Sequence, residues 1–242
     1  VIAMSLAVVG ILYGAVLAVG QTDLKRLVAY TSISHMGFVL LGIFTWNELA
    51  LQGAVIIMLS HGFSAAALFM MVGDLQDRTH TRDLGRLGGL WATMPRMGGV
   101  GLFFAMASLG LPGLASFVGE FLVLMGAFQV NIPLTVFASV GLVAATVYSL
   151  WLIQKVYYGA RKGDWTLDDT SPREMAAMVS LIGATLWLGL YPQPVLTTSG
   201  DALTQLRAAA HKSRDATPRS AKSGHHASDV AASTQMDGGV RP

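Results

Sequence analysis

The sequence GGVGLFFAMASLGLPGLASFVGEFLVLMGAF, residues 98–128, decides the fold of this chain. Its 31 residues are almost entirely apolar, with one acid, Glu120, and a break at Gly110, Pro112 and Gly113. A bilayer core about 30 Å thick needs only about 20 helical residues, so this segment is too long for one straight span. Proline removes a backbone donor and glycine permits non-helical geometry, so we predict two half-helices that separate near residues 109–116.

A helix break within lipid has consequences for the residues around it. Broken helices persist there only where protein or enclosed water satisfies the freed backbone groups, so the break predicts a wet, protein-lined interior. Glu120 is the only one of the 14 acids that falls in the interior of a predicted span and not at its end. Because an unpaired charge there costs about 3 kcal/mol, such an acid indicates a functional site. Two structural alternatives stay open, a proline kink that serves packing and a glutamate that reaches the nearer membrane surface.

Composition indicates an integral membrane protein in a lipid bilayer. Of the 242 residues 53% are hydrophobic and 12% are charged, whereas soluble domains carry about 25% charged residues. The mean hydropathy is +0.55. The net charge of +2 does not indicate a nucleic-acid partner, and without cysteine there is no disulfide or thiolate chemistry. Since the chain opens inside an apolar run without an initiator Met, we expect upstream helices to precede it.

Six apolar segments have about the length that a bilayer requires, which predicts an all-α, polytopic transmembrane bundle with about six spans. The segments are residues 1–20, 27–44, 51–73, 98–128, 133–157 and 172–190. Thr22 or Asp23 is the expected N-cap of the second span. Ser171, Pro172 and Glu174 form a capping-box pattern at the start of the sixth.

Loop charge predicts the orientation of these spans. The loops after the first, third and fifth spans, counted with the span ends that border them, carry ten Lys and Arg residues, and the loops after the second and fourth carry none. The positive-inside rule therefore places the basic loops in the cytoplasm. The same parity places the tail, residues 197–242, on the periplasmic side, although it carries six basic residues of its own. We predict a transmembrane domain over residues 1–196 followed by a divergent, disordered tail.

Three ionisable side chains lie well within the predicted spans, each on a different helix: His35, His61 and Glu120. Residues three or four apart share a helix face, so neighbouring polar residues form stripes that should face the bundle interior. These stripes are Thr31, Ser34 and His35 on the second span, Ser60, His61 and Ser64 on the third, and a weaker set, Ser139, Thr146 and Ser149, on the fifth.

The chemistry of these side chains suits proton transfer. Histidine exchanges protons near neutral pH, and desolvation brings a buried carboxyl into the same range, so His61 and Glu120 could pass a proton through intervening water. The alternative for His35 and His61 is a hydrogen-bonded core residue that joins two helices. The sequence has no HExxH motif, phosphate loop or dinucleotide fingerprint, so we predict neither a metal site nor a bound cofactor.

Five blocks of sequence, taken in order, resemble one known family. The blocks are QTDLKRLVAYTSISHMGF (21–38), LSHGFSAAALF (59–69), DRTHTRDLGRLGGL (77–90), LGLPGLASFVGEF (109–121) and GLYPQP (189–194). Through residue 196 the chain is similar to the subunit M family of bacterial NADH:quinone oxidoreductase, or respiratory complex I, whose mitochondrial members are NADH dehydrogenase chain 4.

This resemblance implies the second half of an antiporter-like bundle. In that family a line of ionisable residues moves protons through the middle of the membrane, driven by quinone reduction elsewhere in the complex. By resemblance Glu120 is the terminal member of the line, His61 the linking member, and His35 a position of less certain role. The family's lysines and its other essential glutamate would lie upstream of Val1. The implied setting is the bacterial inner membrane, with other membrane subunits of complex I as partners and the redox centres outside this chain.

Two other functions stay open. Multisubunit Na⁺/H⁺ antiporters and membrane-bound hydrogenases share the bundle, although they commonly carry lysine at the position of Glu120. A purely structural membrane scaffold, which only holds partner subunits, would have a dry interior and would tolerate Glu120→Ala.

Overall fold

The computed structural model describes residues 1–162 and 167–216, and within these residues the chain forms eight α-helices. The helices are α1 (Ile2–Val19), α2 (Leu24–Thr45), α3 (Glu48–Thr79), α4 (Pro95–Ser108), α5 (Ala115–Val130), α6 (Ile132–Val156), α7 (Pro172–Leu190) and α8 (Gln193–Ala216). Five of them, α1, α2, α3, α6 and α7, are long and apolar enough to cross a membrane. α4 and α5 lie where one broken span was predicted. The predicted all-α bundle of about six spans with one broken helix is therefore confirmed.

Local sequence signals define several helix ends. The Asp23 carboxylate accepts a hydrogen bond from the Arg26 amide at 3.0 Å, so Asp23 rather than Thr22 caps α2. At the start of α7, Ser171 and Glu174 form the predicted capping box, in which each side chain accepts a hydrogen bond from the other residue's amide. These caps satisfy amides that a helix leaves free in its first turn.

The segment after α7 differs from the prediction. Residues 197–216, which we expected in a disordered tail, lie in α8, and the predicted boundary at residue 197 falls inside that helix. Pro192 ends α7, but Pro194 is compatible with the first turn of a new helix, and the five alanines and three leucines in residues 195–216 favour helix. The chain forms one compact unit over Val1–Leu203, and a second unit begins at Thr204. The rest of the predicted tail, residues 217–242, lies outside the described residues.

α4 is capped by a residue from a distant loop. The Asp169 carboxylate accepts hydrogen bonds from the amides of Arg96 and Met97 at 2.9 and 3.2 Å. Burial alone would raise the pKa of Asp169, but these bonds and two from Thr170, one from its amide and one from its hydroxyl, outweigh burial and hold the pKa below its ordinary value. Because the folded-state pKa is lowered, the stability that Asp169 contributes is present above its unfolded pKa and is lost as pH falls through the folded one.

α3 and α5 approach each other closely because both carry glycine at the crossing. A Cβ atom added to Gly53 would lie 2.7 Å from the Gly119 carbonyl oxygen and 2.7 Å from the Val123 amide nitrogen. Small residues of this kind allow helix backbones to meet in membranes, where van der Waals packing replaces the hydrophobic effect as the main driving force. The contact fixes α5, and with it Glu120, against α3.

We expect Gly53→Ala to lower the stability of the assembled protein by about 1–3 kcal/mol, because backbone atoms must move to admit the methyl group. The matched control is Gly73→Ala on the same helix, where an added Cβ has no atom of the chain within 4 Å. Thermal unfolding of the purified complex would measure both. An equal melting temperature for the two variants would contradict the close approach.

Candidate functional site: a polar layer between two apolar cores

One group of buried polar side chains lies between two apolar clusters. One cluster joins the ends of α2, α3, α4 and α6 nearest the basic loops, and includes Leu27, Leu68, Phe104 and Leu152. The other cluster joins the opposite ends of α2, α3, α5 and α6 to α1, and includes Phe38. On each helix the polar residues fall between these two clusters in sequence. We call the following set the polar layer: Thr31, Ser34 and His35 on α2, Ser60, His61 and Ser64 on α3, Ser108 and Glu120 beside the break, and Tyr148 and Ser149 on α6.

Glu120 and His35 form a buried pair in this layer. His35 Nδ1 lies 3.1 Å from Glu120 Oε1, and the two side chains are only 6% and 2% exposed. The opposite ring nitrogen, His35 Nε2, lies 3.1 Å from the hydroxyl of Tyr148. The glutamate therefore does not reach a membrane surface, and three helices contribute one continuous hydrogen-bonded chain from Tyr148 through His35 to Glu120.

His61 lies beside this chain rather than within it. Its ring centroid is 5.3 Å from that of His35, and its side chain is half-buried at the surface of the described residues. His35, which the resemblance left with the less certain role, is therefore the histidine in direct contact with Glu120. This contact could not be read from sequence because the two residues are 85 positions apart. Among the described residues no three His, Asp or Glu side chains form a metal-binding group.

The hydroxyls predicted to support the site are buried and bonded to backbone. Thr31 donates to the Val28 carbonyl at 2.8 Å, Ser60 to Ile57 at 3.1 Å and Ser64 to His61 at 3.4 Å, each within its own helix. Ser34 donates to the Ile11 carbonyl of α1 at 2.9 Å and so joins two helices. These groups line the layer with oxygen atoms that keep a free lone pair for a further hydrogen bond.

The helix break has an inner and an outer side. Residues 109–114 leave helical geometry, with Gly110 and Gly113 at φ values of +76° and +97° that favour glycine. Gly110 lies on the inner side, where an added Cβ would be 2.6 Å from Glu120 Oε2. Leu111, Pro112 and Gly113 are exposed instead of lying in the predicted protein-lined interior. Because Gly110 has no side chain, the Glu120 carboxyl can lie directly against the break.

The second carboxylate oxygen of Glu120 borders a cavity. Oε2 is buried and has no hydrogen-bond partner among the described residues. The cavity has a volume of about 230 Å³ and is lined by Leu109, Gly110, Phe117, Glu120, Phe121, Leu124, Leu142, Val143 and Thr146. It opens between α5 and α6, where Phe121 and Val143 are 50% and 66% exposed. One carboxyl oxygen thus contacts histidine while the other contacts a space large enough for water.

A smaller void adjoins the other end of the hydrogen-bonded chain. Its volume is about 10 Å³, close to the space that one water molecule needs. Thr31, Ser108, Tyr148 and Ser149 line it together with three apolar residues, and the buried hydroxyl of Ser149 has no hydrogen-bond partner among the described residues. The polar layer therefore has room for hydration on both sides of the histidine and glutamate pair.

Tyr148 is the residue that reasoning from sequence missed. It is 1% exposed, and its ring meets that of His35 edge-on at a centroid distance of 6.4 Å. A signal was present, because tyrosine in membrane helices concentrates at the two interfaces, whereas Tyr148 lies within a span between the hydroxyl residues Thr146 and Ser149. A tyrosine at that depth indicates a polar partner in the interior.

We expect Tyr148→Phe to reduce proton transfer several-fold and to shift its pH profile, because His35 loses the hydroxyl that orients its ring. The lost hydrogen bond should cost stability by only about 1 kcal/mol. Tyr157→Phe is the matched control, since that tyrosine is also fully buried but its hydroxyl has no hydrogen-bond partner among the described residues. If both variants gave the wild-type pH profile, Tyr148 would have no role in orienting His35.

Comparison with known proteins defines the class of this chain. Residues 1–146 match the family described as NADH:quinone oxidoreductase/Mrp antiporter, transmembrane. The match covers more than half of the chain, so the chain belongs to this family of membrane proteins. The apolar helices and the family together make it an integral membrane protein.

Two curated relatives show which member of this family the chain is similar in sequence to, subunit M. The chain is 51% identical over 202 residues to NADH-quinone oxidoreductase subunit M of Pseudomonas aeruginosa, a match that covers 84% of this chain and 40% of that protein. It is 50% identical over 209 residues to the subunit M of Escherichia coli (strain K12), covering 85% of this chain and 41% of that protein. The resemblance to the subunit M family is therefore confirmed. The chain spans about 40% of the length of these curated relatives.

A solved structure agrees with this result. A chain in the structure of respiratory complex I from Thermus thermophilus with bound NADH superposes with a TM-score of 0.78 at 31% sequence identity. The superposition covers 85% of this chain and 44% of that one. The fold described above is therefore shared with part of one chain of that respiratory complex.

Proposed function

We propose that this chain is part of a proton-translocating membrane subunit of NADH:quinone oxidoreductase, and that protons cross its polar layer through His35 and Glu120. One observation carries the proposal: Glu120 is buried, with Oε1 hydrogen-bonded to His35 and Oε2 without a partner against the cavity at the break. Buried ionisable groups in membrane spans occur at ion and proton pathways. A carboxyl group that faces a proton donor on one side and hydratable space on the other has the geometry of a relay.

The transfer moves one proton between named atoms. A doubly protonated His35 donates from Nδ1 to Glu120 Oε1, which leaves a neutral imidazole and a neutral carboxylic acid. The carboxyl group then rotates about its Cγ–Cδ bond, which carries the protonated oxygen to the cavity side, and releases the proton there to water. The neutral His35 keeps its proton on Nε2, the nitrogen that faces Tyr148, and regains a proton at the vacated Nδ1 once the carboxyl group has turned towards the cavity. His61, whose ring lies 5.3 Å from that of His35, supplies the proton from the side where the family's other ionisable residues would lie.

The orientation and the partners follow from the same reasoning. We place the ten basic loop residues in the cytoplasm of a bacterial inner membrane, which puts the residues after α7 on the periplasmic side. The upstream half of the subunit and other membrane subunits of respiratory complex I complete the proton path. We assign the flavin, iron-sulfur and quinone chemistry to partner subunits, so this chain contributes to NADH:quinone oxidoreductase activity as a translocating part without a cofactor of its own.

A subunit of a Na⁺/H⁺ antiporter or of a membrane-bound hydrogenase is the less favoured alternative, because relatives at 50% and 51% identity are named subunit M. A tagged chain purified from its native membrane should carry NADH:quinone oxidoreductase activity with it. Recovery with antiporter or hydrogenase subunits and without that activity would favour the alternative. Within the assembled enzyme, Glu120→Gln tests the relay itself, and proton translocation per NADH oxidised is the quantity to measure.

A further inference from the structure

A polar pocket lies at the end of α6 nearest the basic loops, outside the polar layer. It has a volume of about 350 Å³ and is lined by Gly88, Trp151, Gln154, Lys155, Tyr158, Gly159, Ala160 and Lys162. The two lysines and Tyr158 are exposed, and none of the described residues that line the pocket is acidic. Lys155 places its ammonium group 5.7 Å from the centre of the Trp151 ring. Two cations and two amphipathic aromatic rings therefore surround one open space.

Hydrogen bonds between two segments hold the pocket in shape. The Gly89 amide donates to the Tyr158 carbonyl at 3.1 Å, and the Trp91 amide donates to the Tyr157 carbonyl at 3.1 Å. The Trp91 ring stacks on that of Tyr158 with centroids 5.6 Å apart. Lys162 donates to the Gly85 carbonyl at 3.1 Å, which leaves two of its three N–H donors for another ligand. The pocket is therefore a formed feature of the fold and not a gap between loose side chains.

An exposed apolar stripe leads along α6 to this pocket. From Phe137 onward its members recur every three or four residues, and each is 45–66% exposed: Val136, Phe137, Val140, Val143, Val147 and Leu150. Val143 also lines the cavity beside Glu120, so an acyl chain on this stripe would cover the mouth of that cavity. The same face continues one turn later to Gln154 and then to Tyr158, both of which line the pocket. The stripe has the dimensions of a path for an acyl chain, since six residues over four turns of helix extend about 20 Å. Its polar end meets two lysines.

We propose that the pocket binds the headgroup of an anionic phospholipid whose acyl chains lie along the stripe on α6. Lysine ammonium groups bind a phosphate as point charges, and tryptophan and tyrosine lie at the depth of lipid headgroups. Basic pockets between membrane helices recognise anionic lipids in this way. Phosphate on a soluble molecule would satisfy the lysines alone, whereas a phospholipid satisfies both the lysines and the apolar stripe, so the lipid is the occupant that fits both features.

Photocrosslinking in the assembled complex tests the proposal. Gln154→p-benzoylphenylalanine places a reactive ketone at the pocket, and Leu150→p-benzoylphenylalanine, one turn away on the same face, is the second reporter. The complex is reconstituted in phosphatidylcholine vesicles that contain a minor fraction of phosphatidylglycerol. We expect adducts to be enriched in phosphatidylglycerol about 25-fold over its bulk fraction, because each lysine near an anionic lipid contributes about fivefold in affinity. Lys155→Gln with Lys162→Gln should remove most of that enrichment.

The matched control removes two positive charges from the same end of the bundle, at the start of α2, through Lys25→Gln with Arg26→Gln. This variant should keep the wild-type enrichment. Adducts that mirror the bulk lipid composition in the wild type would overturn the proposal, as would enrichment that survives loss of both pocket lysines or is lost equally in the control. Enrichment abolished by inorganic phosphate would assign the pocket to a soluble anion, and crosslinks to a neighbouring protein would show that lipid does not occupy it.

Discussion

Replacing Glu120 by glutamine should lower proton translocation by the assembled enzyme at least about tenfold, because an amide occupies the same space but cannot take up or release a proton. Assembly should survive, since the glutamine side chain still fits the site and still offers a hydrogen-bond acceptor to His35. The measurement is acidification of inverted vesicles during NADH oxidation, expressed per NADH consumed. Removing a charge from a buried pair leaves the fold intact here because the neutral partner can adapt by changing its tautomer.

The matched control for this variant is Glu48→Gln. Glu48 is an exposed glutamate in the first turn of α3, so the change is chemically identical but lies outside the polar layer. We expect it to pump at the wild-type rate. Normal proton pumping by an assembled Glu120→Gln enzyme would contradict the proposed role of Glu120 as a proton relay. Normal pumping by a Glu120→Ala enzyme would favour a purely structural role for this chain.

Gly110→Ala should give the second large effect. The new methyl group would lie 2.6 Å from Glu120 Oε2. The carboxyl group is the end of a flexible side chain, so it would swing away and lose its position between His35 and the cavity. Translocation should fall at least about fivefold, a change that corresponds to about 1 kcal/mol in the rate of the limiting step.

Gly113→Ala separates this contact from backbone strain. Gly113 also has a positive φ, +97°, so alanine there pays a similar conformational penalty of about 1–2 kcal/mol. An added Cβ at Gly113 has no atom of the chain within 4 Å. Both variants should therefore lose stability, but only Gly110→Ala should lose most of its translocation at a temperature where each is folded. Equal activity of the two would show that contact with the carboxyl group does not matter.

The spans and the break could be predicted because they depend on local composition. Segment length and hydropathy predict which residues cross a bilayer, and a proline between two glycines predicts where a helix opens. Glu120 could be identified for the same reason, because it is a lone acid in the interior of an apolar span. Span length, hydropathy and the position of the break are properties of short stretches of sequence, and the structure agrees with all three.

The partners of Glu120 could not be predicted because they depend on how helices rotate and pack. Contact of Glu120 with His35 requires α2 to meet α5, and contact of His35 with Tyr148 requires α6 to face α2. The residues of these two pairs are 85 and 113 positions apart in the sequence, so no local pattern connects them. Polar stripes show which faces turn inward but not which stripes meet. The disordered tail expected from residue 197 differs from the helix found there for another reason. The two prolines after α7 correctly indicated its end, but Pro194 also fits the first turn of the next helix, α8.

Ordered water beside Glu120 is the most direct test of the account. A cryo-electron microscopy map of the assembled enzyme, at a resolution that shows individual water molecules, would reveal the cavity between α5 and α6. We expect Glu120 Oε1 at hydrogen-bond distance from His35 Nδ1 and at least one ordered water within about 3 Å of Oε2. A continuous helix through residues 109–114, or a Glu120 carboxyl that points into lipid away from His35, would contradict the account.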